Sequence, residues 1–271
     1  MRKSFSQVLK EGKVDIKKEY QRLHELFYRT SILTCSGRSA SDIENWNFKS
    51  VSFRGTCLTL EDFNETYGFH FEMYPENFDV DYLVNFCEYS INLIMSVCGK
   101  FNEDFLQLIL KQIDNLIEKI GYMQADDNGY INYVEKLPSA MSVSEILPAP
   151  TSYKVIFYNH HSLKGKIIEK KAILNQLYLL LEPKRNKLHQ VDSKLENTIF
   201  YCFNNLNIRH ENTTAGHTHC KDYIANMSAS ELEKWYDETY KMCLLAFLEL
   251  EQIERANEFQ ELKNKIEMKN E

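Results

Sequence analysis

The chain has 271 residues, more than the ~100–200 of one typical domain, so two modest units are expected. With 44% hydrophobic residues, 13% aromatic residues and five prolines it can fill a core, which excludes a wholly disordered protein. The net charge of −7 excludes a general nucleic-acid-coating protein, and seven scattered cysteines with no C-x-x-C pair exclude the usual zinc and redox motifs and fit a reduced, cytoplasmic compartment.

The first residues, Met1-Arg2-Lys3-Ser4-Phe5-Ser6, lack an apolar core, so no secretion signal is expected. Residues 17–33 read as a helix, with Tyr20, Leu23, His24, Phe27 and Ser31 on one face; Ser36-Gly37-Arg38-Ser39 breaks it. Weak alternation over Val51-Ser52-Phe53-Arg54-Gly55-Thr56-Cys57 predicts a strand. Helical periodicity returns at 81–97 (Tyr82, Phe86, Leu93, Val97) and 102–120 (Leu106, Ile109, Ile113, Leu116, Ile117, Ile120), predicting a helical hairpin closed by Gly121. Asp127-Asn128-Gly129 between two short apolar runs predicts a small β-hairpin. Leu147-Pro148-Ala149-Pro150 cannot continue a helix and sets the expected boundary between a helix-rich region with a small β element and an expected regulatory role, 1–150, and a helical bundle, 151–271.

In the second region, helices are expected at 153–161, 166–189, 193–209 and 228–266, antiparallel because their connections are short. Ser228-Ala229-Ser230-Glu231 offers a capping box to the last of them. Leu232, Trp235, Tyr236, Tyr240, Cys243, Phe247, Leu250 and Ile253 mark its core stripe. Past Arg255 only Phe259, Leu262 and Ile266 stand among charges, which leaves protrusion, pairing with another chain or fraying open. The longest apolar run, 242–248, is far below the ~20 residues of a bilayer span, so no membrane partner is expected.

Charge is unevenly spread. Residues 42–104 carry twelve carboxylates against three cations, whereas residues 160–190 carry seven cations (Lys164, Lys166, Lys170, Lys171, Lys184, Arg185, Lys187) against two carboxylates. A polyanion docks on the latter if anywhere, although a solvated helix face accounts for it too. His160-His161 beside Lys164-Gly165 reads as an exposed helix end. The densest polar cluster runs from Asn204 to Cys220 and holds Asn204, Asn205, Asn207, Arg209, His210, His217 and His219. Three readings stand side by side for it. Asn204, Asn205 and Asn207 cap a helix end and its turn, Arg209 pairs with an acid of the last helix and the histidines are exposed loop residues; or His210, His217, His219 and Cys220 ligate a metal, although their spacing matches no structural zinc pattern; or Arg209 binds a phosphate beside histidines that move protons.

With that cluster, residues 153–255 resemble the HEPN superfamily, small helical bundles of bacterial abortive-infection and toxin–antitoxin systems. The family signature is an arginine, then usually asparagine, aspartate or histidine, and a histidine after four to six intervening residues at the end of a core helix. Here His210 follows Arg209, and His217 comes after seven intervening residues, one more than the pattern; Arg185-Asn186-Lys187-Leu188-His189 is a second near match with three. The resemblance implies a homodimeric, metal-independent endoribonuclease, needing no cofactor, that acts in phage defence or as a toxin. It assigns catalysis to Arg209, His210, His217 or His219 and RNA contact to Asn207, Lys184, Arg185 and Lys187, with an inhibitory or phage-derived protein as regulator. The alternative is a non-catalytic helical module for interaction and dimerisation.

Overall fold

A computed structural model of the chain describes residues 15–29, 38–71, 75, 78–127, 129–214 and 218–268. It is mainly helical with one two-stranded antiparallel sheet, as expected. The chain divides into two compact units, Met1–Tyr133 and Val134–Glu271.

In the first unit, α1 (Ile16–Tyr28), α2 (Ala40–Asn47), α3 (Leu60–Tyr67), α4 (Val80–Ser96) and α5 (Glu103–Lys119) each open on a side chain that accepts an otherwise unpaired amide of the first turn: Asp15, Ser39, Thr59, Asp79 and Asn102. Ser39 and Asp42 complete a reciprocal capping box, so the polar stretch read as a break ends by starting a helix. Tyr20, Phe27, Phe86 and Phe105 lie fully inside the core where α1, α4 and α5 meet. Tyr20 and His24 of α1 both donate to the carbonyl of Phe71, at 3.2 and 2.9 Å.

The expected strand at 51–57 is not formed. Two short 3-10 turns, Phe48–Ser50 and Ser52–Arg54, stand there, and Gly55 at φ +59° turns the chain back. The period-two pattern lost because Arg54 donates to the carbonyls of Lys49, Gly55 and Cys57, which holds the backbone in turns. The expected hairpin is present as β1 (Tyr122–Asp127) and β2 (Tyr130–Glu135), with Gly129 at φ +89°. Helix α4 binds the edge of β2: Asn92 both donates to and accepts from Ile131, at 2.7 and 2.9 Å, and Glu88 accepts from the Tyr133 amide at 2.6 Å.

Glu44 of α2 is fully buried, neither carboxyl oxygen has a hydrogen-bond partner among the described residues, and burial pushes its pKa well up. A group whose folded pKa exceeds its unfolded one stabilises the fold at low pH, and that stability is lost as pH rises from the ordinary carboxyl range through the raised value. Glu44→Met is therefore expected to raise stability by about 1–3 kcal/mol near neutrality and to flatten the alkaline loss, checked by urea denaturation across pH. A variant no more stable than the parent at pH 8 would show that this carboxyl is satisfied.

The second unit contains α6 (Pro138–Ile146), α7 (Ala149–Phe157), α8 (Ile167–Leu181), α9 (Arg185–Val191), α10 (Ser193–Asn205), α11 (Asp222–Ala225) and α12 (Ala229–Met268). The units part between Tyr133 and Val134, ahead of the boundary expected at residue 150. The prolines there start a helix instead of separating domains: α6 ends at Ile146, Pro148 caps α7 with Pro150 in its first turn, and α6 packs on α7 and α12. The helix expected over 166–189 breaks at Glu182-Pro183-Lys184, a 3-10 turn, because Pro183 lacks an amide to continue it. Helix α12 takes Leu232, Tyr236, Tyr240, Cys243, Leu244, Phe247 and Leu250 into the core; Trp235 of the expected stripe is largely exposed. Ser228 caps α12 through the Glu231 amide at 3.2 Å, while the Glu231 carboxylate accepts from Tyr223 instead of completing a capping box. Lys170 is buried between Glu233 and Asp237, at 2.8 and 2.7 Å, tying α8 to α12.

Candidate functional site

The polar cluster sits where α10 ends. The Leu206 amide closes the last turn on Cys202, and Asn207 adopts the left-handed conformation at φ +58°, which asparagine tolerates better than most residues. The Arg209 amide then reaches back to the carbonyl of Phe203 at 2.9 Å. Leu206 and Ile208 are buried on either side of Asn207, so the alternate residues Asn207 and Arg209 point away from the core.

Asn212 holds this turn together. Its side chain is fully buried, accepts from the Asn207 amide at 2.8 Å and donates to the carbonyl of His219 at 2.7 Å. The Asn207 side-chain oxygen accepts from the Asn212 amide and from Lys171 of α8, both at 3.2 Å. Two loop segments are thereby pinned together, and the rings of His210 and His219 stack at 4.4 Å with 26° between their planes. Arg209 is exposed; its guanidinium lies 5.0 Å from the Tyr178 ring centre and reaches the Asn204 oxygen at 3.4 Å. Partial burial, then the His219 and Arg209 charges, hold the His210 pKa below the ordinary imidazole value. Thr213 bonds hold the Glu211 carboxylate low, so it stays ionised beside these groups.

No family model matches the chain, and neither does any curated protein or solved structure. Arg209 offers a planar donor fork to an anion, His210 is poised neutral, and His219 lies in ring contact with it.

The other expected site residues divide differently. His217 lies outside the described residues. Asn207, expected to touch phosphate, spends its side-chain oxygen on Lys171 and Asn212. Arg185, with His189, binds Glu196, at 2.5 and 3.0 Å, and its guanidinium covers Phe200 at 4.3 Å. Burial alone would raise the Glu196 pKa, but the hydrogen bonds from His189 and Arg185 outweigh it and hold the carboxylate low. The near match at 185–189 thus fastens α9 to α10. Lys187 pairs with Glu254 of α12 at 2.9 Å, and Lys184 is exposed at the start of α9. His160, expected on an exposed helix end, is buried, stacked on Phe157 and bonded to Ser162.

Sequence reasoning overlooked Asn212 and Tyr178. Asn212 looks like any loop asparagine, and Tyr178 like one more core aromatic; only folding brings the latter under Arg209. In the first unit, Phe53, Phe63, Phe69, Tyr89 and Tyr130 line an apolar pocket of about 240 Å³, whose Asn92 is engaged with β2. Among the described residues no helix is long and apolar enough to cross a membrane.

Proposed function

We propose that the second unit cleaves RNA at the turn after α10, by acid–base chemistry that needs no metal ion. What supports the reading is the stacked pair His210 and His219 beside Arg209, in a loop otherwise braced by Lys171 and Asn212. Neutral His210 takes the proton of a ribose 2′-hydroxyl, whose oxygen attacks the adjacent phosphorus. Protonated His219 gives its proton to the departing 5′ oxygen as the P–O5′ bond breaks. The products are a 2′,3′-cyclic phosphate and a 5′-hydroxyl. Arg209 binds the non-bridging oxygens, where charge grows in the transition state. DNA lacks the attacking hydroxyl and is not cut. The HEPN resemblance is the further support, and a role in abortive infection or as a toxin follows from it alone.

The test incubates the full chain with unstructured RNA in EDTA and identifies the new ends. Wild type is expected to leave cyclic phosphates, and His219→Ala to lose most of that cleavage. Because the His210 pKa is lowered, its base form persists into mild acid, and the acid limb of the rate profile should fall below the ordinary imidazole value of ~6.5. Equal cleavage by both proteins, cleavage abolished by EDTA, or intact RNA at every pH would each sink the proposal.

A further inference from the structure

We infer that the C-terminal part of α12 pairs in parallel with the same helix of a second copy of this chain. The inference rests on α12 alone and is independent of the RNA-cleavage reading. Helix α12 runs for 40 residues, but its buried positions stop at Leu250. The core side, Cys243, Phe247 and Leu250, continues along the helix through Glu254, Asn257 and Glu261, all polar and exposed. Beyond the bundle the apolar residues move to another side: Phe259, Leu262 and Ile266 are 63%, 50% and 53% exposed. A tail that merely trailed into solvent has no reason to carry a phenylalanine, a leucine and an isoleucine at spacings of three and four.

Those spacings are a coiled-coil seam. With Phe259 as the first apolar position of a heptad, Leu262 and Ile266 fall on the next two, and Leu245 falls on the same seam two heptads earlier, where the next seam residue, Leu248, packs against the bundle core. Leu245 is 47% exposed, on the side of α12 away from Cys243 and Phe247. The intervening seam positions are Gln252 and Arg255. Two glutamines facing across a seam can bond each other, and Arg255 is already neutralised by Glu251 of its own helix at 3.0 Å. Polar layers of this kind lower affinity while fixing register.

The seam's charges say what covers it. In a parallel pair the position before one seam residue faces the position five residues later on the partner helix. Here that sets Glu258 against Lys263 of the other copy, twice by symmetry, so the face is complementary to itself. Because the preceding turns of α12 are anchored in the bundle, the nucleation cost that limits a short free helix is already met.

Sedimentation equilibrium of the full chain over a concentration series tests this. The expected result is a reversible shift from one to two chain masses. Leu262→Glu with Ile266→Glu should weaken it at least about tenfold, with helicity checked by circular dichroism because both side chains are solvent-exposed. Glu258→Lys should weaken the pair, and Glu258→Lys with Lys263→Glu should restore it. A single chain mass at all concentrations, association indifferent to the Leu262 and Ile266 changes, a mass above two chains, or a double reversal that fails to restore pairing would each overturn the inference. None of these readings depends on whether RNA is cut.

Discussion

Arg209→Ala is expected to lower the rate of RNA cleavage by about 10²–10³-fold while leaving the fold intact. The magnitude is that of removing one preorganised donor from a transition state whose charge grows on oxygen. The side chain is exposed, and among the described residues it makes a long bond to Asn204 and lies over the Tyr178 ring, so the stability change should stay within about 0.5 kcal/mol. Arg209→Lys discriminates further. It keeps the charge but loses the planar fork, and should recover only part of the rate. A fall in kcat and in kcat/KM together would place the contact in the transition state; a rise in KM alone would make Arg209 a plain binding residue. An unchanged rate for the alanine variant would remove Arg209 from the reaction.

Asn212→Ala should act on stability and on the site at once. The substitution deletes the acceptor for the Asn207 amide and the donor to the His219 carbonyl at a fully buried position. Each unsatisfied buried group costs about 1–3 kcal/mol, so a loss of about 2–4 kcal/mol is expected, read as a drop of roughly 5–15 °C in the melting temperature. With the brace gone, His219 is no longer held against His210 and cleavage should fall even below the melting transition. Asn212→Asp keeps the acceptor and sets a carboxylate against a carbonyl. Burial and that neighbour raise its folded pKa, so part of the lost stability should return as the pH falls and the acid protonates. If Asn212→Ala melts with the parent, the loop does not depend on this side chain.

Much of the fold was legible beforehand because local rules and tertiary packing agree. The apolar faces at 81–97 and 102–120 became α4 and α5, and the expected hairpin became β1 and β2. Misreadings arose where a side chain took over a backbone pattern. Arg54 bound three carbonyls where a strand was expected, and Pro183 interrupted the helix expected over 166–189. At Pro148 and Pro150 the reading that proline cannot continue a helix held, but the same residues are well suited to a first helical turn.

The site divides along the same line. Sequence alone picked out the end of α10, since a run of asparagine, arginine and histidine is a local property of the chain. It also showed that 185–189 resembled a second copy of the motif, and there it misled, because whether Arg185 is available depends on Glu196, eleven residues away and buried. Composition and periodicity determined a mainly helical protein with an apolar core and a polar cluster at one helix end. Only the tertiary structure decided which polar groups are committed to the fold and which face solvent. A hydrogen bond is satisfied by whatever lies within about 3 Å in space, and neighbours in space such as Lys171 and Asn207 are not neighbours in sequence.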